Sequence, residues 1–384
     1  MKLIHTADWH LGRIFHGVHL TKDQEYLLEG LIALVREEKP DAVIISGDVY
    51  DRAVPPPDAV NLLDHVLSEL VLSLGSTVLV IPGNHDSPER LAFASRLLAG
   101  RNLHVCRLPG PSLEPVILED SHGPVDFHLL PYSEPPAVKE QLQDETIHDH
   151  DSAMAAATSR IKKAMRPGGR SVLVAHAFVS GGLTSESERP LFIGAAGAVS
   201  SSHFEGFSYV ALGHLHRCQH TGPGPVHYPG SLYKYSFSEA SHAKSVNVVE
   251  LDGKGAVTVR PAPLRPRHDV RVVRGYLKDL LKGPASGEDR EDYLMVLLED
   301  REPILDVKRK LQEVYPHVLP VERVSLDIEG ERTGSSRENL SLTAEQLFGS
   351  FFLEVTGEDL TGDHVRLFCE AVKNVDRLER EGAR

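Results

Sequence analysis

The sequence predicts an α/β protein in which a central sheet is covered by helices on its faces. Between residue 2 and about residue 265, short apolar runs such as AVIIS (42–46), TVLVI (77–81) and SVLVA (171–175) alternate with stretches of helical periodicity. The runs are apolar throughout, which is typical of strands buried on both faces of a sheet. We therefore expect residues 1–265 to form one layered domain.

The individual elements follow from local signals along this domain. Three prolines at 55–57 mark the start of a helix over 57–74, because proline is tolerated in the first helical turn. Apolar residues cover more than one stripe of that helix, so it is either fully buried or packs against a second subunit. The other elements are predicted, in chain order, as a strand at 2–4, a helix at 22–38, and strands at 42–46, 77–81, 171–175, 209–212, 246–251 and 256–260.

From about residue 266 the pattern changes to that of a smaller α+β domain, predicted over 266–330. DVRVV, DYLMVLL and RVSLDI are predicted strands, with an amphipathic helix near 303–315. A polar linker at 331–341 then leads to a two-helix tail over 342–384, which holds four of the chain's 12 phenylalanines. Two helices alone cannot bury that many aromatic rings. The tail either folds back on the body or docks on a partner, and the polar linker favours a partner.

Composition restricts the class of protein. With 384 residues, 41% of them hydrophobic and 25% charged, the chain is expected to be globular with two or three domains. Its three cysteines form no CxxC pair, and no apolar run reaches transmembrane length or resembles a signal peptide, so we expect a cytoplasmic protein without membrane contact. The net charge of −14 argues against broad attraction to nucleic acid, although bound cations can reverse the field at one site.

Five junctions between a strand and a loop carry possible metal ligands. They are Asp8 and His10 in DWH, Asp48 in GD, Asn84 and His85 in GNHD, His176, and His214 and His216 in GHLH. Each signal is weak alone, because histidines at strand ends are usually structural and Asp after Gly is common in turns. Together, carboxylate, imidazole and amide groups without cysteine favour Mn²⁺ or a similar ion. The set is too large for one ion and suits two ions that share a bridging ligand, the usual apparatus for displacement at phosphorus.

The order DxH, GD, GNHD, H and GHxH resembles the calcineurin-like metallophosphoesterase superfamily in every element. Within it, the chain is most similar to the SbcD family, the nuclease subunits of bacterial SbcCD complexes. That narrower match is carried by HTADWHLGR, SGDVYDRAVPP, IPGNHDSPERL, SGGLTSESERPL, ALGHLHR and YPGSLYKYSFSEA. Archaeal and eukaryotic relatives typically carry a histidine shortly after GD, where residues 49–52 of this chain read VYDR. No catalytic histidine is carried over to that position.

The resemblance implies a layered β-sandwich flanked by helices, a small α+β capping domain and a helical tail. It implies that one metal is held by Asp8, His10, Asp48 and His216, and the other by Asp48, Asn84, His176 and His214. His85 matches the family's catalytic, non-ligand histidine, which could stabilise charge on the phosphate or protonate the leaving oxygen. Asp86 is expected either to support His85 or, slightly favoured, to cap the following helix.

The resemblance also implies a function in DNA processing. The chain would use two metal ions, expected to be Mn²⁺, as a double-strand exonuclease and a single-strand or hairpin endonuclease. An SMC-like ATPase of the SbcC type would gate it. The tail would bind the base of the partner's coiled coil, residues 266–330 would cap the DNA, and helices 57–74 and 88–99 would form a homodimer, giving a heterotetramer or larger assembly with the ATPase.

Two other functions are alternatives to this one. A stand-alone metallophosphoesterase acting on nucleotides or small phosphate esters would share the chemistry, but the residues after the catalytic domain and the aromatic tail count against it. A non-catalytic scaffold is disfavoured because the whole ligand set is present.

For several polar or aromatic residues near these motifs, we favour a structural role over a functional one. IHDHDSAM (147–154) is interpreted as a helix cap with a solvated face rather than a third metal site. Trp9 is expected to pack against the sheet rather than stack on a base. Some phosphate contact is expected among five arginines beside the motifs, namely Arg13, Arg52, Arg90, Arg189 and Arg217.

Overall fold

The structure, a computed structural model, contains nineteen strands and eight α-helices among the residues that it describes between 2 and 323. The described residues are 1–106, 113–189, 197–222, 224–300, 302, 304–324, 348–349, 352, 361–362 and 364–368. The strands are β1 Lys2–Thr6, β2 Ile14–Phe15, β3 Val18–His19, β4 Ala42–Ser46, β5 Thr77–Ile81, β6 Leu103–Val105, β7 Val116–Asp120, β8 Gly123–Leu130, β9 Arg170–His176, β10 Phe178–Val179, β11 Ala198–Val199, β12 Tyr209–Gly213, β13 Gln219–His220, β14 Val226–Tyr228, β15 Ser245–Leu251, β16 Val257–Pro263, β17 Val270–Gly275, β18 Tyr293–Leu298 and β19 Val318–Arg323. The helices are α1 Thr21–Glu38, α2 Pro57–Ser68, α3 Pro88–Leu91, α4 Ser95–Ala99, α5 Pro135–Leu142, α6 His150–Ala164, α7 Leu277–Leu280 and α8 Val307–Gln312.

Two six-stranded sheets form a sandwich. Their strand orders are β16-β15-β1-β4-β5-β6 and β13-β14-β12-β9-β8-β7. One core cluster joins them and includes Leu3, Ile44 and Leu79 from the first sheet with Phe127 and Val174 from the second. The outer faces are covered by helices, since separate cores contain residues of α1 and α2 on one side and of α5 and α6 on the other. The layered fold is confirmed, with two central sheets where the apolar runs alone suggested one.

The two long helices predicted near the amino terminus are present with different ends. The first begins at Thr21 and ends at Glu38, close to the predicted 22–38. The second, predicted over 57–74, is α-helical only to Ser68 and continues as a π-helical turn over Glu69–Ser73. Its Leu63 and Val66 are buried, but Val60 is 43% exposed and Leu72 is 72% exposed. A fully buried helix is therefore wrong, and packing against a second subunit stays a prediction.

The segment after the sandwich forms a three-stranded parallel sheet, β17-β18-β19, with α7, α8 and a core of its own. Its last strand lies earlier than RVSLDI (323–328), of which residues 325–328 lie outside the described residues. The side chain of Asp23, on α1, ties this sheet to the sandwich through hydrogen bonds with His268 Nδ1 at 2.7 Å and Tyr293 Oη at 2.9 Å.

Residues from Ser325 to the end form a separate unit. The predicted linker at 331–341 lies outside the described residues, as does most of the tail. Residues 364–368 are helical, and the rings of Phe348 and Phe368 stack with centroids 4.2 Å apart. Within the described ranges, no helix combines the length and apolar character needed to cross a membrane.

Candidate metal centre

The seven predicted ligands lie at the ends of parallel strands from both sheets. β1 leads into the loop with Asp8 and His10, β4 into Asp48 and β5 into Asn84, while β9 ends at His176 and β12 leads into His214 and His216. These strands pair in parallel within each sheet, so their carboxyl ends meet at one edge of the sandwich. The structure brings all seven residues together there.

The first group of side chains surrounds the imidazoles of His10 and His216. Their Nε2 atoms lie 3.1 Å apart, and Asp48 Oδ2 is 3.6 Å from His10 Nε2. Asp8 completes the group, since atoms of Asp8, His10 and His216 all lie within 4.8 Å of one another. Every one of these side chains is buried.

The second group lies on the other side of Asp48. Asn84 Oδ1 is 2.9 Å from His176 Nε2 and 3.3 Å from His214 Nδ1. Asp48 Oδ2 lies 3.6 Å from His176 Nε2, the same distance that separates it from His10 Nε2. One carboxylate oxygen thus stands between two clusters of donors.

Unusual backbone geometry places these groups. The loops that carry the ligands use left-handed conformations, with φ of 53° at Asp8, 46° at His10, 49° at Asp48 and 109° at His214. Such conformations are costly for residues other than glycine and concentrate at functional sites. Gly47, at φ +96°, could carry no side chain, because a Cβ there would lie 2.3 Å from Nδ1 of His176. A Cβ on Gly83 would lie 2.1 Å from Oδ1 of Asp48.

Asp86 fastens two of the ligand loops to each other. Its carboxylate accepts hydrogen bonds from the backbone N–H groups of Gly83 at 2.9 Å, Val49 at 3.0 Å and Tyr50 at 2.9 Å. The following helix is capped by Ser87 instead. The expected helix cap is therefore wrong for Asp86, because its buried oxygens accept from main-chain N–H groups of Gly83 and of the loop after Asp48.

His85 lies beside the ligands with one ring nitrogen engaged. Its Nδ1 donates a hydrogen bond to the carbonyl oxygen of Asp51 at 2.8 Å. The other ring nitrogen, Nε2, takes no part in this hydrogen bond and stays available to another group. Its ring centroid is 4.7 Å from that of His10. The side chain of Asp51 lies close by, since its Oδ1 is 2.9 Å from an Nη of Arg13 and 3.6 Å from His10 Nδ1.

The electrostatics of the site fit bound cations. Burial, and then the charge of Asp48, raise the pKa of Asp8 well above its usual range. Burial also lowers the pKa of His176 and of His216, which favours the neutral imidazole in both. A positive ion between the carboxylates would relieve this cost.

Hydrogen-bond chemistry leads to the same conclusion. His176 Nδ1 donates to the carbonyl oxygen of Ser46 at 3.0 Å, so its Nε2 bears a lone pair that faces Oδ1 of Asn84 at 2.9 Å. Two acceptor atoms do not bond to one another, and a cation between them satisfies both. Carboxylate, imidazole and amide donors without thiolate suit Mn²⁺ or a similar ion.

Some residues at the site were missed by sequence reasoning. Ser187 Oγ lies 2.6 Å from His216 Nδ1, and a carboxylate oxygen of Glu188 accepts from the backbone N–H of His216 at 2.6 Å. The side-chain amide of Gln24 donates to the carbonyl oxygens of Trp9 and His10 at 3.0 and 2.8 Å. Ser187 and Glu188 lie within SGGLTSESERPL, one of the segments that carry the resemblance to the SbcD family, and that segment is the signal that could have identified them.

The structural roles expected for residues 147–154 and for Trp9 are found, except for one histidine. Asp149 caps α6 through a capping box with Ser152, as predicted, and Trp9 is fully buried with its Nε1 donating to Thr6 Oγ1 at 2.9 Å. His150 is buried and stacks on the ring of Tyr132, so it is not part of a solvated face. Of the five arginines beside the motifs, Arg13 is half-buried. The other four are exposed, namely Arg52, Arg90, Arg189 and Arg217.

Comparisons with known proteins agree with this geometry. Residues 1–218 match the family model of calcineurin-like phosphoesterases, and residues 266–356 match a model described as the type 5 capsule protein repressor C-terminal domain, SbcD_C. A curated relative, the D subunit of the SbcCD nuclease from Staphylococcus saprophyticus, is 32% identical over 94% of this chain and 95% of its own length.

Two solved structures resemble the chain at lower similarity. The TT1561 protein of Thermus thermophilus has a TM-score of 0.41 at 13% identity, covering 69% of this chain and 99% of that one. A dimetal phosphatase from Danio rerio has a TM-score of 0.41 at 14% identity, covering 68% and 96%. On its family matches and its curated relative, the chain belongs to the calcineurin-like phosphoesterases and, within them, to the SbcD family of nuclease subunits.

Proposed function

We propose that this chain is the nuclease subunit of an SbcCD-type complex and hydrolyses DNA phosphodiesters with two Mn²⁺ ions. It acts as an exonuclease on double strands and as an endonuclease on single strands and hairpins. The observation that carries the proposal is the position of Asp48, whose Oδ2 lies 3.6 Å from both His10 Nε2 and His176 Nε2. A carboxylate in this position suits a bridge between two ions.

Each ion would be held by four side chains that share Asp48. One set is Asp8, His10, Asp48 and His216, and the other is Asp48, Asn84, His176 and His214. When bound, two divalent cations neutralise phosphate oxygens and make a water molecule a better nucleophile. The histidines contribute lone pairs because burial lowers the pKa of His10 and of His214 well below its usual range.

His85 is the proposed catalytic residue. Its Nδ1 is committed to the carbonyl oxygen of Asp51, so the ring orientation is fixed and Nε2 is available to a phosphate oxygen. From there the imidazole could stabilise charge on the phosphate or transfer a proton to the leaving oxygen. Exposed arginines beside the loops, such as Arg52 and Arg189, would supply positive charge for the DNA backbone in an otherwise acidic chain.

The proposed assembly uses surfaces outside the metal centre. An SbcC-type ATPase would bind the tail over 342–384 and gate the nuclease, while residues 266–330 would cap the DNA. A homodimer would form through the segments 57–74 and 88–99, where large apolar side chains are exposed. Val60 is 43% exposed, Phe93 81% and Leu97 79%. A cytoplasmic location belongs to the same proposal.

The proposal is tested by substrate choice. The purified chain, with and without an SbcC-type ATPase, is incubated with Mn²⁺ and either hairpin DNA or bis(p-nitrophenyl) phosphate. We expect cleavage of the hairpin, stimulated by the partner and ATP, and loss of all hydrolysis in Asp48→Asn. Robust turnover of the small ester with inert DNA would favour a stand-alone phosphoesterase.

A further inference from the structure

A series of hydrogen bonds between buried side chains fixes the imidazole of His216 at its Nδ1 atom. Its Nδ1 lies 2.6 Å from Ser187 Oγ, and the hydroxyl of Ser187 also bonds to Oε1 of Glu239. Glu239 is fully buried. Ser187 lies in the loop after β10, and Glu239 ends the short 3-10 helix Phe237–Glu239 between β14 and β15, so two distant segments meet behind this one histidine.

The direction of these hydrogen bonds follows from the number of protons. A hydroxyl has a single proton, and a carboxylate can only accept, so the hydroxyl of Ser187 donates its one hydrogen bond to Glu239. Ser187 Oγ must then accept from Nδ1–H of His216. This fixes the tautomer of His216 and leaves the lone pair on Nε2, the atom that lies 3.1 Å from His10 Nε2.

Lys244 is the last member of this row of hydrogen-bonded side chains, after Ser187 and Glu239. Its Nζ donates to Glu239 Oε2 at 2.5 Å, to Ser231 Oγ at 2.7 Å and to the carbonyl oxygen of His216 at 2.8 Å. All three ammonium protons are used, and the buried carboxylate is paired with a buried cation. His216 is thus gripped at its carbonyl oxygen by Lys244 and at Nδ1 through Ser187.

Arg13 connects this arrangement to the neighbouring ligand loop. One Nη donates to Asp51 Oδ1 at 2.9 Å, and the other donates to the carbonyl oxygen of Ser187 at 3.4 Å. His10, the other imidazole of the same group, has no hydrogen-bond partner for its buried Nδ1 among the described residues. Of these two histidines, His216 is the one with a built support.

We propose that Ser187, Glu239 and Lys244 are positioning residues that set the affinity of one of the two metal sites, the one formed by Asp8, His10, Asp48 and His216. The inference rests on the metal centre of the proposed function. Metal-binding histidines whose second nitrogen donates to an outer acceptor are better oriented and more basic, and loss of that partner typically costs about 10–100-fold in metal affinity. Here the acceptor is the hydroxyl of Ser187, which in turn donates a hydrogen bond to the carboxylate of Glu239.

Ser187→Ala is the sharpest test, because it removes one oxygen atom and leaves the Glu239–Lys244 ion pair intact. Its matched control is Ser185→Ala in the same loop, since the buried Oγ of Ser185 has no hydrogen-bond partner among the described residues. Mn²⁺ is titrated into the full-length metal-free protein by calorimetry without DNA, and thermal unfolding checks the fold of each variant.

We expect Ser187→Ala to weaken one of two Mn²⁺ sites at least about tenfold and to leave the other unchanged. Ser185→Ala should bind like the unaltered chain, and Ser187→Thr, which keeps the hydroxyl, should restore affinity. Unaltered binding at both sites in Ser187→Ala, or equal losses in the two alanine variants, would overturn the inference. A chain that shows the expected binding pattern but cleaves no DNA supports this inference and contradicts the proposed function.

Discussion

The backbone N–H of His85 donates to Oδ1 of Asp48 across 2.9 Å. Main-chain geometry therefore holds one oxygen of the carboxylate that we propose as the bridge and leaves Oδ2 free between His10 and His176. The side chain of His85 takes no part in this hydrogen bond. A substitution of the His85 side chain can therefore remove its imidazole while keeping the hydrogen bond that places Asp48.

We expect His85→Ala to keep Mn²⁺ while losing activity. Alanine retains the backbone N–H that holds Asp48, so metal content per chain, measured by elemental analysis, should stay near that of the unaltered protein. Hydrolysis of hairpin DNA should fall by about 10²–10⁴-fold, the usual contribution of a positioned acid or base. Loss of metal in this variant would show that His85 is a ligand.

Gly83→Ala should damage the centre through sterics alone. The added Cβ would lie 2.1 Å from Asp48 Oδ1 and 2.3 Å from the backbone nitrogen of Asp48, and neither group can move freely. We expect a loss of about 1–3 kcal/mol in the free energy of unfolding, measured in urea, together with weaker Mn²⁺ binding.

Gly30→Ala is the control for that substitution. Gly30 lies in the middle of α1, and a Cβ there meets only Leu264 Cδ2, at an ordinary 3.9 Å. Replacing a helical glycine with alanine should raise the free energy of unfolding by about 0.5–1 kcal/mol. Equal effects of the two substitutions would contradict the close approach at Gly83.

The stability of the fold should fall as the pH drops below about 6.5, in part through His5. Burial, and secondly the charge of His227, lower the pKa of His5 from 6.5 to about 3. Between these values the unfolded chain binds a proton that the folded chain does not, so acid favours unfolding by up to about 1.4 kcal/mol per pH unit. Below a pH of about 3 the folded His5 is protonated as well, and this loss stops.

His5→Gln measures that contribution. Glutamine can hydrogen-bond with the two partners of the ring, Tyr209 Oη at 2.9 Å and Ser46 Oγ at 2.8 Å, but does not titrate. Urea unfolding between about pH 5 and 7 should show a shallower pH dependence in the variant, by nearly one proton at the acid end. Identical slopes would mean that His5 accepts a proton in the folded state.

Deletion of residues 340–384 should abolish binding of the ATPase partner and spare Mn²⁺-dependent cleavage of hairpin DNA by the isolated chain. The residues up to Val324 form a compact unit that contains every proposed metal ligand. Pull-down with the partner and a nuclease assay without it measure the two properties. Undiminished partner affinity after the deletion would remove the docking role from the tail.

The convergence of the seven candidate ligands could be predicted from sequence because each follows an apolar strand, and parallel strands bring their carboxyl ends to one edge. The contacts behind the ligands could not. Asp86 bonds to the N–H of Val49, 37 residues away, and no local pattern reveals that pairing. Ser187 and Glu239 meet across 52 residues of sequence, and the tertiary fold alone brings their two segments together.

The number of sheets was hidden for a similar reason. Apolar runs identify strands but not their neighbours, and β9 pairs with β8 and β12 rather than with the strands of the first sheet. The end of the second long helix was equally invisible. Its apolar pattern continues through Leu74, but the backbone changes to π-helical hydrogen bonding at Glu69.

Anomalous scattering at the manganese edge, from crystals grown with Mn²⁺, measures most directly whether two ions share Asp48. We predict two peaks about 3.5–4 Å apart, each within bonding distance of Asp48. One should also contact Asp8, His10 and His216, and the other Asn84, His176 and His214. A single peak, or two peaks of which only one touches Asp48, would contradict the two-metal centre.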